Sequence, residues 1–473
     1  MTRDWRDDRI EQLEALVREQ QAIIEAQART IAALEQRIAT LEAQLAQFSG
    51  NSSKPPSTDP PGSPPPAPPK RTGKRRGGQP GHGKHRRMLV PPEQVTSTTV
   101  LKPSTCRRCG AKLEGDDPEP YRHQVFDIPK SPGIVNEYQQ HARVCGDCGT
   151  STRAELPAGV PTGQFGPRLQ ALVSVCSGAY RMSKRAIEEL VEDSFGIPLS
   201  LGTISNLEQA TSNAVAVPVQ EVTLALSKEP VVHADETGWY EHSKRAWLWV
   251  AAVAHMAGFA IRFSRGAKVA KELLGESFGG ILVSDRWSAY TWVDVARRQL
   301  CWAHLLRQFR GFQDHGPVAS AIGQSLEILT EVMFHLWHRV RDGTMSRAEF
   351  QDILAQLRPH VVARLREGAH EDSPKAIAGR CREILGLEPA LWTFAQVEGV
   401  EPTNNFAERM VRHGVMWRKT SFGTDSPEGS RFVERILTVV TTLRLQKRNV
   451  LDYVTEACQC ALRGQPAPSL LPS

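Results

Sequence analysis

The chain has no uninterrupted run of about 18 apolar residues, the length that crosses a bilayer, and its first residues are charged where a secretory leader would be apolar. A membrane partner is therefore not expected, and the expected location is the cytoplasm. Net charge is also scarce. There are 58 Lys and Arg against 52 Asp and Glu over 473 residues, a balance of +6, so a polyanion would have to be met by a local patch rather than by the whole surface. Cysteine is too sparse for a disulfide scaffold. Nine are present, and an odd total with strong clustering points to a reducing compartment and one metal site.

The first 48 residues contain no internal Pro or Gly and carry a heptad. Position a reads Ile10, Val17, Ile24, Ile31, Ile38, Leu45, and position d reads Leu13, Gln20, Gln27, Leu34, Leu41, Phe48. β-Branched residues at a with Leu at d favour a parallel two-stranded coiled coil roughly 58 Å long; the alternative is a helix packed on its own protein. Residues 49–88 follow as a Pro-rich linker and basic arm. The tract Pro64-Pro65-Pro66-Ala67-Pro68-Pro69 cannot bury a core and should be extended. Between Lys70 and Arg87 stand eight cations, Lys74, Arg75 and Arg76 among them, with glycines interleaved and no acid. Such a segment is either an arm lying along phosphates or a solvated tail.

Residues 89–160 hold Cys106-x-x-Cys109-Gly110 and Cys145-x-x-Cys148-Gly149. Two residues between thiolates let both sulfurs meet one ion, and four thiolates make a closed, structural Zn²⁺ site. The long gap between the pairs suits a zinc ribbon; the other reading is two unrelated cysteine pairs. Residues 161–215 turn helical, with a Phe195-Gly196-Ile197-Pro198 break before a helix led in by Ser200. The pattern fits a helix-turn-helix and equally a plain packing unit.

From residue 225 to 448 the pattern changes to short apolar strands. Val231 to Asp235 and Gly280 to Asp285 each end in an acid, with strands at Trp247–Val253 and Phe259–Phe263 and a helix at Lys268–Leu274 between them. Three meandering strands, a helix and a strand returning beside the first is the order of a ribonuclease-H-like fold. Strand alternation puts Glu236 opposite Asp235. Residues 312–398 read as a helical insertion, and a third acid is expected beyond it, at Glu408. Asn405 three residues earlier also permits a simple capping box. Residues 449–473 are left as a C-terminal tail. The expected fold is thus multidomain α/β, a ribonuclease-H-like catalytic domain with a helical insertion, preceded by coiled coil, zinc ribbon and helix-turn-helix.

Across nearly its whole length the chain resembles the transposases of the insertion-sequence-66 family. The resemblance rests on Gly77-Gly78-Gln79-Pro80-Gly81-His82, the four cysteines, His233-Ala234-Asp235-Glu236-Thr237, Cys301-Trp302-Ala303-His304, and Pro402-Thr403-Asn404-Asn405-Phe406-Ala407-Glu408-Arg409, continuing through Arg412, Arg418-Lys419 and Ser421-Phe422. It implies a zipper, a zinc domain, a helix-turn-helix and a catalytic domain whose acidic triad is Asp235, Asp285 and Glu408. That triad would hold two Mg²⁺, with Mn²⁺ as a substitute. The implied partners are double-stranded DNA (terminal repeats and target), a second copy through the coiled coil, and accessory proteins of the same element, in a bacterial cytoplasm. Arg409, Arg412, Arg418 and Lys419 would hold phosphates or form a solvated helix face. Cys301 and His304 have the spacing for a shared ion but lack an obvious second pair, so packing, contact with DNA or the triad, and metal binding all stay open.

Two rivals accompany this reading: a zipper-dimerised, catalytically inactive DNA-binding regulator derived from a transposase, and a nuclease that only cleaves. The basic arm gives the first prediction. If its cations meet phosphates, deleting residues 70–87 should weaken binding to all DNA sequences alike. The slope of log affinity against log salt should fall by about 0.9 per lost contact. An unchanged slope in a filter-binding titration would make the arm a tail.

Overall fold

The computed structural model describes residues 20–21, 24–38 and 89–472. The linker, the basic arm with Lys74, Arg75 and Arg76, and much of the heptad lie outside the described residues. Residues 24–38 are helical (α1), with Ile24, Ile31, Leu34 and Ile38 all more than half exposed along it.

The cysteine-bearing region is largely irregular, with one small hairpin, β1 (Ala142–Val144) and β2 (Ser151–Arg153), paired antiparallel. Three helices follow, α2 (Pro167–Gly178), α3 (Lys184–Phe195) and α4 (Leu201–Ala214). Ser183 and Ser200 cap α3 and α4 by accepting from Ala186 N–H and Thr203 N–H, and Gly196 ends α3 in the left-handed region. Val173, Ile187, Val191, Leu199 and Ile204 close a small core between them. Helix α5 (Ala216–Leu226) then leads to the sheet.

Five strands make one mixed sheet: β3 (Val231–Glu241), β4 (Lys244–Val253), β5 (Met256–Arg262), β6 (Ile281–Ser284) and β7 (Arg298–Leu300), in the order β5-β4-β3-β6-β7. The first three form an antiparallel meander, and β6 and β7 run parallel to β3. Helix α6 (Ala267–Leu274) is the crossover from β5 to β6. Strand β3 is longer than the sequence reading allowed. It continues past Asp235 to a two-residue turn, His242–Ser243, in which both residues have positive φ. Two consecutive left-handed residues match the twist of paired strands, but neither is the Gly or Asn that usually announces them.

Helices α7 (Trp302–Phe312), α8 (Pro317–Arg341), α9 (Arg347–Ala369), α10 (Lys375–Gly386) and α11 (Thr393–Gln396) gather around a second core of Trp302, Phe309, Leu326, Phe350 and Phe394. This is the stretch read as an insertion. It is built against the β7 edge: Phe394 N–H donates to Gln299 Oε1 at 2.7 Å, and Thr393 Oγ1 donates to the Arg298 carbonyl at 2.6 Å. The chain then returns as α12 (Asn405–Ser421), α13 (Pro427–Leu445) and α14 (Val450–Leu462). Helix α12 crosses close to the sheet at Gly414, where a Cβ would overlap the Leu248 side chain.

Helix α14 corrects the expectation of a tail. Tyr453, Val454, Ala457 and Cys458 are buried in the main core, and α14 packs on α2 and α4. These positions have helical spacing, and what they pack on lies more than 200 residues earlier in the chain.

The outer edge of β5 is sealed by side chains of α13. Ile261 N–H donates to Glu434 Oε1 at 2.5 Å, Phe259 N–H to Thr438 Oγ1 at 3.1 Å and Ala257 N–H to Thr442 Oγ1 at 3.1 Å. Every second residue of a strand advances about 6.7 Å and every fourth residue of a helix about 6 Å, so the two series stay in step. An edge strand is thereby capped without a sixth strand. Thr438→Val keeps the shape but orphans the buried Phe259 N–H, and should cost about 1–3 kcal/mol in urea denaturation. Thr438→Ser should cost less. Equal stability of Thr438→Val and the parent would refute the capping role.

Candidate active site

Register sets the first two acids level with each other. His233 pairs with Val283 across parallel β3 and β6, so two residues further on stand Asp235 and Asp285, on adjacent segments. Strand β6 stops at Ser284, whereas β3 runs on beside β4. Asp235 therefore sits where β3 loses its β6 partner, and Asp285 just beyond a strand end. Each carboxylate accepts one local backbone bond: Asp235 Oδ1 from Glu236 N–H at 2.9 Å, Asp285 Oδ1 from Trp287 N–H at 2.8 Å.

The third acid arrives on α12. Its helix does not begin as a capping box. The N-cap is Asn404, and no side-chain cap bond is made there. Asn404 is wholly buried and directs its amide elsewhere. Nδ2 donates to the Ala234 carbonyl at 2.7 Å, Oδ1 lies 3.2 Å from His233 Nδ1, and its backbone N–H donates to Cys301 Sγ at 3.1 Å. Glu408, not engaged in capping, turns its carboxylate inward. Oε1 lies 3.4 Å from His304 Nδ1 and 4.0 Å from an Arg307 nitrogen, and is buried without a hydrogen-bond partner.

Electrostatics link the three acids. Burial first, then the negative charges of Glu236, Asp285 and Glu408, push the Asp235 carboxyl well above the usual carboxylate range. His304 is held below its usual value by burial and by Arg307, against the opposing pull of Glu408 and Asp285. Burial drives His233 down to about 4 and the Cys301 thiol up to about 11. Glu236, whose charge reaches Asp235, is itself paired. Its Oε1 accepts from Arg265 at 2.7 and 2.9 Å and its Oε2 from Tyr290 Oη at 2.6 Å. The sequence reading put Glu236 on the other face; what it missed was Arg265 and Tyr290, which make that burial tolerable.

Among the described residues, one group of three metal-ligating side chains has its ligand atoms within 4.8 Å of one another: Cys301, His304 and Glu408. Asp235, Asp285 and Glu408 share a field without closing to that distance, and the four cysteines of the N-terminal region do not meet as such a group. Within that region each pair is shaped as a knuckle. Gly110 N–H donates to the Cys106 carbonyl at 2.9 Å and Gly149 N–H to the Cys145 carbonyl at 3.0 Å, both glycines having positive φ. Cys106 is held below the usual thiol value by backbone and thiol contacts from Cys109 and by the Arg108 backbone. Thr150 does the same for Cys148, with a smaller contribution from Cys145.

Of the cations expected beside Glu408, Arg409, Arg412 and Lys419 are exposed on α12. Arg418 is half-buried and donates to the Gly238 carbonyl and, at 3.4 Å, to Thr237 Oγ1, tying α12 to β3. Asp294, a further acid in the segment after β6, caps a short 3-10 turn through Ala296 N–H at 2.8 Å. Next to Asp285, between α7 and α10, lies an open cleft of ≈ 370 Å³.

Two family models match the chain. One, a family of unknown function (DUF6444), covers residues 4–88. The other, the transposase IS66 family, covers residues 162–431, more than half of the chain. Among curated proteins, the uncharacterized protein y4qI of Sinorhizobium fredii is 26% identical over 415 residues, spanning 80% of this chain and 74% of that one. The uncharacterized protein y4hP of the same organism is 24% identical over 403 residues, spanning 75% and 70%. The second family match begins before α2 and ends within α13, so it takes in the whole sheet, all three acids and the helices between them: the chain belongs to the IS66 transposase family.

Proposed function

We propose that this protein is a DNA transposase that binds the terminal repeats of its own element and catalyses metal-dependent strand cleavage and strand transfer. The observation that carries the reading is the shared field of Asp235, Asp285 and Glu408, three carboxylates from separate segments crowded at one end of the sheet. Their mutual repulsion and the unpartnered Glu408 Oε1 fit hard divalent cations, Mg²⁺ or Mn²⁺, which take oxygen ligands. Asp235, Asp285 and Glu408 would hold them. When bound, two such ions activate an attacking oxygen and stabilise a leaving one.

The chain's own part is placement. Strand register holds two acids level, and α12 delivers the third beside His304 and Arg307. Arg409, Arg412 and Lys419 are poised for phosphates on either side of the reacting bond, with Arg418 bracing the helix that carries them. The order β5-β4-β3-β6-β7, a meander plus two parallel strands, supports a ribonuclease-H-like catalytic domain over residues 225–448 with an insertion at 312–398. The serine-capped helices with the Gly196 turn support a helix-turn-helix for end recognition within residues 161–215. The heptad supports a parallel dimer through residues 1–48, and residues 49–88 would be the linker and basic arm. The two cysteine knuckles support a Zn²⁺ site, in which Cys106, Cys109, Cys145 and Cys148 would converge on the ion within residues 89–160.

Asp235→Asn, Asp285→Asn and Glu408→Gln should each cut Mg²⁺-dependent cleavage by about a thousandfold or more, equivalent to ~4 kcal/mol of barrier. Each should still shift end-bearing DNA in a gel. If Asp285→Asn keeps near-normal cleavage, the second acid is misassigned; if the unmodified protein joins no strands, the transposase reading falls. Elemental analysis should give one zinc per chain, and its chelation should unfold the cysteine region, since a small ribbon draws its folding energy from the metal. Protein purified free of zinc yet fully folded there would end that assignment.

A further inference from the structure

The ≈ 370 Å³ cleft beside Asp285 is the size of a small ligand site and far too narrow for a duplex. One wall is the loop after β6 with α7; the other is α10 of the helical insertion. Its charges are unevenly committed. Arg286 is ion-paired with Glu383 at 2.9 Å and donates to Gln308, so its charge is committed. Arg307 reaches Glu408 only at 4.0 Å. Arg380 is exposed on α10 and has no ion pair among the described residues. Two guanidiniums, from opposite walls, therefore face the opening with their donors available.

The floor beside Asp285 is a rigid aromatic. Trp287 donates its indole N–H to the Arg265 carbonyl at 2.8 Å and its backbone N–H to Asp285 at 2.8 Å. The Arg265 guanidinium stacks 3.8 Å from the Trp287 ring and is itself anchored by the buried Glu236. A fixed indole flanked by free cations is the combination that holds single-stranded nucleic acid, the base on the ring and the backbone on the charges.

We propose that this cleft binds an unpaired nucleotide of the DNA strand adjoining the reacting bond, its phosphate between Arg307 and Arg380 and its base against Trp287. The inference rests on the transposase reading for the identity of the strand. It also gives the helical insertion a direct role, because α10 supplies half of the phosphate clamp.

The test is a binding titration without added Mg²⁺ or Mn²⁺, independent of catalysis, using fluorescein-labelled oligothymidylate and a blunt duplex as probes. Arg380→Gln, on an exposed position that cannot unsettle the core, should weaken oligothymidylate binding several-fold. It should also lower the slope of log affinity against log salt by about 0.7, the single-strand value for one phosphate. Arg380→Lys should keep the slope. Arg307→Gln should act likewise, and Trp287→Ala should weaken the single strand with the slope unchanged. Duplex binding should be unaltered in all four. An unchanged oligothymidylate slope in Arg380→Gln, or an equal loss on both probes, overturns the proposal. Cleavage assays on the unmodified protein separate the two claims. Active protein with unchanged slopes sinks the cleft alone. Inactive protein with the expected slopes sinks the transposase reading and leaves a single-strand site. Protein that binds neither probe ends both.

Discussion

The buried amide of Asn404 joins three segments that the chain order keeps far apart. Its Nδ2 holds the Ala234 carbonyl next to Asp235, its backbone N–H holds Cys301 at the start of α7, and its own carbonyl receives the Glu408 N–H at 3.1 Å in the first turn of α12. Asp at this position could not donate to Ala234 and would add another negative charge to a crowded field. Serine could not span both sides. His233 completes the arrangement: held neutral by burial, it can offer its Nδ1 proton to Asn404 Oδ1. With every polar atom engaged in a dry setting, small displacements of α12 against β3 are costly, and the proposed triad inherits that rigidity.

The second constraint is like-charge repulsion. Asp235 and Glu236 are consecutive, and a carboxylate pair next to Asp285 and Glu408 would be difficult to keep ionised together. Arg265 and Tyr290 offset part of the Glu236 charge, which still adds to the field at Asp235. The same Arg265 then stacks on Trp287, whose backbone holds Asp285. A charge-neutralising device thus doubles as the support for the aromatic floor of the cleft.

Closure of the sheet edges explains where the open surface remains. Glu434, Thr438 and Thr442 of α13 occupy the β5 edge, and Gln299 with Thr393 locks the insertion onto β7. With both edges covered, an opening remains beside Asp285 at the C-terminal end of β6, between α7 and α10. That is the space in which the cleft lies.

Much of this was legible in the residues. Apolar runs ending in acids placed β3 and β6, their order placed the meander and the crossover, and the motif around Glu408 pointed to an acid whose charge reaches Asp235. Gly196 and Ser200 marked helix ends, since caps act through near neighbours. The tertiary structure decided the rest. Asn405 followed by Glu408 reads as a capping box, and only contact with Ala234 and Cys301 shows that Asn404 is the N-cap and gives its side chain away. The helix at Val450–Leu462 reads as a tail until α2 and α4 cover it. Arg307, Arg380 and Trp287 carry no local signature, because a shared cleft depends on distances between segments far apart in the sequence. Periodicity and capping are written in sequence because they are governed by residues within a turn or a strand pair. The partners of a buried polar group are set by packing, which joins residues without regard to their separation along the chain.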